Sequence, residues 1–256
     1  MKLRAKLDIL LCTLSFFAVS LPTHGIVNIE TLRANVGSGF GGEAELSAAY
    51  SSGNTEALDF GYGVGLRHAA PERAFFFLSR GEIRQQASDR YSQKAFGHAR
   101  FHWRPEHRLS LESFVQIQYD EALRLSSRLV TGAGARLRLG RFETGALFGG
   151  LSLMFEREEF QDASGIRPST EKVARVSSYF SSRLSGSRMS VSSITYFQPR
   201  LTELKDNRAL NQTTVKARLT EKLALTVNFH LAFDGDPPEN VAELDTRTTL
   251  GVKLTW

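Results

Sequence analysis

The chain has 256 residues, enough for one large β domain or two small ones, and carries 32 Lys and Arg against 27 Asp and Glu. At 41% hydrophobic it is too polar for a helical membrane protein, and after the N-terminal segment nothing approaches the ~18–20 consecutive apolar residues of a spanning helix. The basic residues are spread evenly and gathered on no one face, which argues against a nucleic-acid-binding protein.

Residues 1–25 open with Lys2, Arg4 and Lys6, continue through an apolar run from Ile9 to Leu21, and close on Pro22-Thr23-His24-Gly25. Basic, then apolar, then small is the order of a secretory signal peptide, with Asp8 and His24 as departures from it. A retained membrane anchor is the alternative, and the run is short for a span. Removal of this segment takes away three basic residues and one acidic one, so the net charge falls from +5 to +3. The single cysteine, Cys12, lies inside it and follows Leu11, which is too large for a lipoprotein signal. The exported chain is therefore expected to have no disulfide, no thiolate–metal site and no cysteine nucleophile.

Residues 26–39 read as a periplasmic lead-in, with helical periodicity only over Asn28–Ala34. From Phe40 to Trp256 the pattern has period two, the mark of strands with one apolar and one polar face. Twelve segments are predicted: 40–51, 55–68, 74–87, 92–103, 108–119, 126–139, 142–155, 171–184, 188–199, 208–220, 222–234 and 243–256. In the eleventh, Leu223, Leu225, Val227, Phe229, Leu231 and Phe233 oppose Thr226, Asn228, His230 and Asp234. Segments of this length match tilted membrane-crossing strands of about 9–11 residues, and exceed the ~5–6 residues usual in soluble strands.

Connections alternate in length. Short joins at Ala69–Arg73, Arg104–His107, Gly140–Arg141, Ser185–Ser187 and Glu221 alternate with longer polar loops at Ser88–Tyr91, Asp120–Leu125, Glu156–Thr170, Arg200–Asn207 and Gly235–Ala242. Only the first hairpin, Ser51-Ser52-Gly53-Asn54, departs from this. Short periplasmic turns and long external loops are the outer-membrane arrangement, and a soluble up-and-down barrel has no reason to adopt it. The expected fold is all-β, a closed antiparallel up-and-down transmembrane β-barrel of about 12 strands at residues 40–256. A soluble periplasmic β-protein is the rival. Tyr50, Tyr119, Phe155, Phe197 and Phe233 then fall near the outer interface, and Phe75, Trp103 and Trp256 near the inner one, as two aromatic girdles.

The last strand carries the most specific pattern, Thr249-x-Gly251-Val252-x-Leu254-x-Trp256. An amphipathic strand ending in an exposed aromatic can pair edge-on with another sheet. It resembles the C-terminal signal that the barrel-assembly machinery reads, which makes that machinery an expected partner. Further pieces resemble the family of salt-induced outer-membrane proteins, a domain family with no assigned biochemical activity. They are Gly42-x-x-x-Leu46 leading into Ser52-Gly53-Asn54-Thr55, Arg128-Leu129-Val130-Thr131-Gly132-Ala133-Gly134, and the preamble Ile26-Val27-Asn28-Ile29-Glu30. The resemblance implies an outer-membrane barrel and a link to salt or osmotic stress. It supplies no catalytic residues.

On the expected inward faces, Arg67, Arg80, Arg84, Lys94, Arg100, Arg128, Arg136, Arg138, Arg175, Arg183, Lys216, Arg218, Arg247 and Lys253 stand against Glu43, Glu45, Asp59, Glu82, Glu112, Glu143, Glu243 and Asp245. Buried charges must pair or be solvated, so these imply an ion-pair network or a wet lumen. A plugged structural barrel and a narrow conduit for small anionic or polar solutes follow from the two cases, since twelve strands lie between the filled and the open sizes. Glycines 61, 63, 65, 132 and 134 on the same faces read as places where a strand bends or makes room for a large neighbour.

A barrel-embedded hydrolase is the third reading. His98 and His102 share an inward face, but four residues apart on a strand they lie about 13 Å apart, too far to chelate one metal. No Gly-x-Ser-x-Gly elbow occurs, and the pairs Glu43/Glu45 and Glu243/Asp245 are ordinary in barrel lumens. No cofactor and no metal are expected. The longest loop, Glu156–Thr170, carries Glu156, Glu158, Glu159 and Asp162 and reads as solvated. Arg90, Arg124, Arg128, Lys172 and Lys205 near the outer rim are placed to meet the phosphates of outer-membrane lipids, lipopolysaccharide included.

Overall fold

The computed structural model describes residues 29–33, 38–51, 57–86, 91–121, 124–161, 169–236 and 243–256. The expected signal segment, the hairpin residues Ser52, Gly53 and Asn54, the rim residue Arg90, loop residue Asp162 and the Tyr50 side chain lie outside them. A short helix, α1 (Glu30–Arg33), precedes twelve strands. These are β1 (Gly39–Ser51), β2 (Ala57–Ala70), β3 (Arg73–Gln86), β4 (Tyr91–Trp103), β5 (Leu109–Asp120) and β6 (Leu125–Phe142). They continue as β7 (Gly145–Phe160), β8 (Ser169–Ser185), β9 (Met189–Pro199), β10 (Asn207–Arg218), β11 (Leu223–Asp234) and β12 (Leu244–Thr255). Each strand pairs antiparallel with its sequence neighbours, and β1 pairs with β12 to close the barrel. Closure leaves the sheet with no free edge strand.

Period-two alternation produces the two faces directly. Along β5, Leu111, Val115, Ile117 and Tyr119 face outward, while Ser110, Glu112, Gln116, Gln118 and Asp120 are buried inside. The same parity turns Phe60, Phe77, Leu151, Leu153, Phe229, Leu250 and Val252 onto the outer wall, where they are exposed. Among the described residues no helix is long and apolar enough to cross a membrane, so the apolar surface belongs to the strands. Tyr119, Phe155 and Phe197 are exposed toward one end, and Phe75, Trp103 and Trp256 toward the other. Phe233 is partly buried.

Connections at 71–72, 104–108, 143–144, 186–188 and 219–222 fall at one end of the barrel, and the longer ones, 161–168, 200–206 and 235–243, at the other. The contrast is weaker than the sequence implied, because 104–108 is as long as 52–56 at the opposite end. These are called the short-turn end and the long-loop end below.

At the seam, Gly42 and Trp256 exchange backbone hydrogen bonds of 2.9 and 3.0 Å. The Trp256 indole lies across Gly42, where a Cβ would stand 2.7 Å from it, so the absent side chain is what lets the aromatic lie flat on β1.

Candidate functional site

Polar side chains converge in the interior of the barrel, which divides by height. In the short-turn half, residues 29–33 lie inside the barrel, although segment 26–39 reads as a lead-in ahead of the first strand. Ile29 and Leu32, three apart and so on one helical face, are buried with Ala69, Ala74, Phe76 and Leu78, and Phe96 packs beside them. Leu32 occupies the space above Gly65, where a Cβ would come within 2.6 Å of it.

The polar face of α1 is tied to the wall. Arg136 donates to the two Glu30 oxygens at 2.8 and 3.1 Å, and Arg33 pairs with the same carboxylate. Arg33 also reaches Glu112 at 3.1 Å and meets His102. Glu112 accepts from Arg100 at 2.9 Å and from the Tyr179 hydroxyl at 2.8 Å. The Arg136 guanidinium lies 3.8 Å from the Phe148 ring centre. α1 is thereby joined to β4, β5, β6 and β8 through one charged network. Burial alone would raise the Glu30 pKa, but the Arg136 and Arg33 guanidinium groups hold it down at about 2.

In the long-loop half a second network joins β6, β7, β8, β10 and β11. Glu156 accepts from Arg128 at 2.8 Å and from Arg208 at 3.0 Å, with Arg175 at 3.5 Å. Glu158 pairs with Arg128 at 2.8 Å and Arg208 at 3.2 Å. Asp206 and Asp234 complete it, at 2.7 Å from Arg175 and 3.1 Å from Arg208.

This corrects two expectations. Glu156 and Glu158 are not solvated loop residues, because β7 continues to Phe160 and the alternation carries both carboxylates inward beyond Met154. Arg128 is 1% exposed and committed to them, so it does not meet lipid phosphates at the rim. Glu159 stays outside and pairs with Arg157, and Arg124, Lys172 and Lys205 are exposed.

Between the networks lies an apolar cluster of Phe114, Val130, Met154, Tyr179, Ile194, Tyr196 and Leu210. His98 stands beside it, 3.1 Å from Gln116 and 3.3 Å from the Arg100 Nε, and its ring stacks on Phe114. His102 is 3.4 Å from Glu112, within the α1 network. The two histidines thus have separate partners. No three His, Cys, Asp or Glu side chains among the described residues converge on a point that could hold a metal ion.

The other expected lumen charges fall as follows. Arg84 grips Asp59 at 2.6 and 2.7 Å, and Arg247 bridges Asp59 and Glu82 at 3.1 and 2.7 Å. Lys253 pairs with Glu43 at 3.0 Å and Glu45 at 3.4 Å. Arg67 lies over Gly41, Arg138 donates to the Glu106 carbonyl at 3.2 Å, and Arg183 faces the Phe148 ring. Glu143, Arg218 and Glu243 sit at or beyond strand ends and are exposed, which removes them from the inward set. Glu30, Glu156, Glu158, Asp206 and Asp234 enter it together with Arg33 and Arg208, so the excess of positive charge inside narrows but persists. Of the last-strand residues, Gly251 is buried against Glu45 and Thr226, Thr249 faces inward, and Val252, Leu254 and Trp256 face outward.

Beside these networks a cavity of about 170 Å³ remains among β1–β5 and β10–β12. Arg80, Lys94, Arg247, Glu45, Glu82, Asp245 and His230 line it, with the amides of Gln116, Gln118, Gln212 and Asn228.

The chain is similar to several solved structures. The NanC porin superposes with a TM-score of 0.52 at 10% identity, over 82% of this chain and 98% of its own, a likeness of fold. The KdgM porin crystallised with disordered oligogalacturonate gives 0.44 at 9% identity, over 84% and 99%. The β domain of the Bordetella autotransporter BrkA gives 0.42 at 11%, over 85% and 98%. No curated protein matches the chain. Residues 44–256, almost the whole barrel, match the model of the family described as protein of unknown function, DUF481, and the chain belongs to that family.

Proposed function

We propose that the protein is an outer-membrane β-barrel with a structural role in the envelope, its lumen held closed. The carrying observation is the position of Glu30, which is fully buried, with Arg136 and Arg33 on its carboxylate. An ion crossing this level would have to shed water and displace a charge already matched by the wall, and breaking a buried pair costs about 3–5 kcal/mol. The second network and the apolar cluster add two further levels without a wide aqueous path. The exposed apolar wall and the loop asymmetry support the outer-membrane setting, and cell fractionation tests it: recovery in the osmotic-shock fluid would overturn it.

Purified protein in planar bilayers is expected to give no conductance steps once its insertion has been verified. Regular steps would overturn the closed lumen and favour the second reading, a narrow path for small polar solutes through the cavity beside the networks. Catalysis has no support in His98 and His102, both of which are committed to structural partners.

The resemblance to salt-induced outer-membrane proteins supports a role under salt or osmotic stress. A deletion strain is expected to grow more slowly than its parent only at raised salt. For partners, exposed Arg124, Lys172 and Lys205 suit lipopolysaccharide phosphates, and the β12 pattern ending at Trp256 suits the assembly machinery.

A further inference from the structure

We propose that the cavity beside the networks is a binding site for a small solute bearing one oxyanion, a carboxylate or a phosphate group, held by Arg80, Lys94 and Arg247. The site goes beyond the structural reading and stands whether or not the lumen conducts.

Three cations line the cavity with three acids, of which Glu82 and Glu45 are already engaged, while Asp245 makes no ion pair among the described residues and keeps a buried Oδ1 without a hydrogen-bond partner. Glu82 is shared by Lys94 at 3.1 Å and Arg247 at 2.7 Å. Asp59 is gripped by Arg84 and also serves Arg247. Glu45 is taken by Lys253, by the Thr226 hydroxyl at 2.6 Å and by the Asn228 amide at 3.0 Å. Arg80 has no hydrogen bond or ion pair among the described residues, and its stem lies over Gly63, 3.5 Å from where a Cβ would stand. Its electrostatic counterpart is the Glu45 carboxylate, which it does not touch.

His230 makes the imbalance local. The charges acting on its ring are Lys94, Arg247 and Arg80, with no acid among them, and its buried Nε2 has no hydrogen-bond partner. Asp245, the remaining acid of the lining, faces Lys94, Arg247 and Arg84.

An oxyanion near Arg80 and Lys94 would give Arg80 the contact partner it lacks. It would accept charge-assisted hydrogen bonds, which are roughly twice as strong as neutral ones. Gln212, Asn228 and Thr249 offer neutral polar contacts to the rest of the solute. The volume of about 170 Å³ is well beyond what a single water needs, about 10–15 Å³.

The test is a titration of the full-length folded barrel in detergent, with its histidine rings labelled with nitrogen-15. The His230 signal is assigned by its loss in His230→Gln. Acetate and inorganic phosphate are added separately, each against sodium chloride and tetramethylammonium chloride at matched ionic strength. The expected result is a saturating shift of the His230 ring with one or both oxyanions and none with the chloride salts, and the arm that saturates first identifies the preferred group. Arg80→Gln is expected to weaken the binding by about tenfold or more. No saturating shift in the wild-type protein, or the same shift with sodium chloride, would overturn the site. An unchanged affinity in folded Arg80→Gln would overturn it too, and Lys94→Gln replaces that variant if it does not fold.

Discussion

Single carboxylates decide how this lumen is filled. Glu30 has a pKa of 4.5 when free and about 2 in the folded protein, a difference equivalent to about 3 kcal/mol. Its folded pKa is the lower one, so the stabilisation is complete above pH 4.5 and disappears as the pH falls through about 2. Protease access to α1 in the refolded barrel is therefore expected to rise between those values, and in Glu30→Gln to be high and independent of pH. Protection that stays constant down to pH 2 in the wild type would exclude this clamp. Glu156 is the counterpart in the long-loop half, with Arg128, Arg175 and Arg208 around it. Glu156→Ala leaves three buried guanidinium groups short of charge and is expected to cost about 3–5 kcal/mol, read as a lower midpoint in urea. Glu159→Ala, whose partner Arg157 is exposed, is expected to change the midpoint little.

Elements show where a sequence stops being readable. All twelve strands were legible to within a few residues, because alternation is local: a strand such as β5 states its inner and outer faces within its own twelve residues. The ends of β7 were not. Glu156 and Glu158 keep the inward parity of Met154, but two carboxylates read as solvent until Arg128, on the neighbouring strand, is seen to meet them. Helix α1 was half legible. Ile29 and Leu32 at helical spacing, with Glu30 and Arg33 also three apart, signal a two-faced turn. Its destination depends on Arg136, 106 residues away, and only closure of the sheet brings the two together. The cavity was invisible for the same reason, since its lining comes from strands at opposite ends of the chain. At the seam, Gly42→Val removes the space beneath the Trp256 indole. It is expected to lower the thermal stability of the folded barrel measured by heat-modified gel mobility, more than Gly97→Val does, where a Cβ meets only Ile117 at 3.7 Å. Equal effects at the two positions would remove the special role of that contact.

The molecule as a whole inverts the usual arrangement, with apolar side chains outside and most of its charge inside. Its outer wall, from Phe60 and Phe77 round to Leu250 and Val252, is exposed and apolar, as the proposed lipid setting needs. Most of its inner charges pair with one another, Arg80 excepted, and a cavity remains on one side. The proposed closed lumen rests on the two networks and α1 together, and loss of the α1 clamp in the short-turn half is what should release it. The most direct test is single-channel recording of the wild-type barrel beside Glu30→Gln/Arg33→Gln, inserted in the same planar bilayers. A closed lumen predicts a silent wild type and discrete steps or flicker in the variant. Equal conductance in both, or a wild type that conducts steadily, would contradict it.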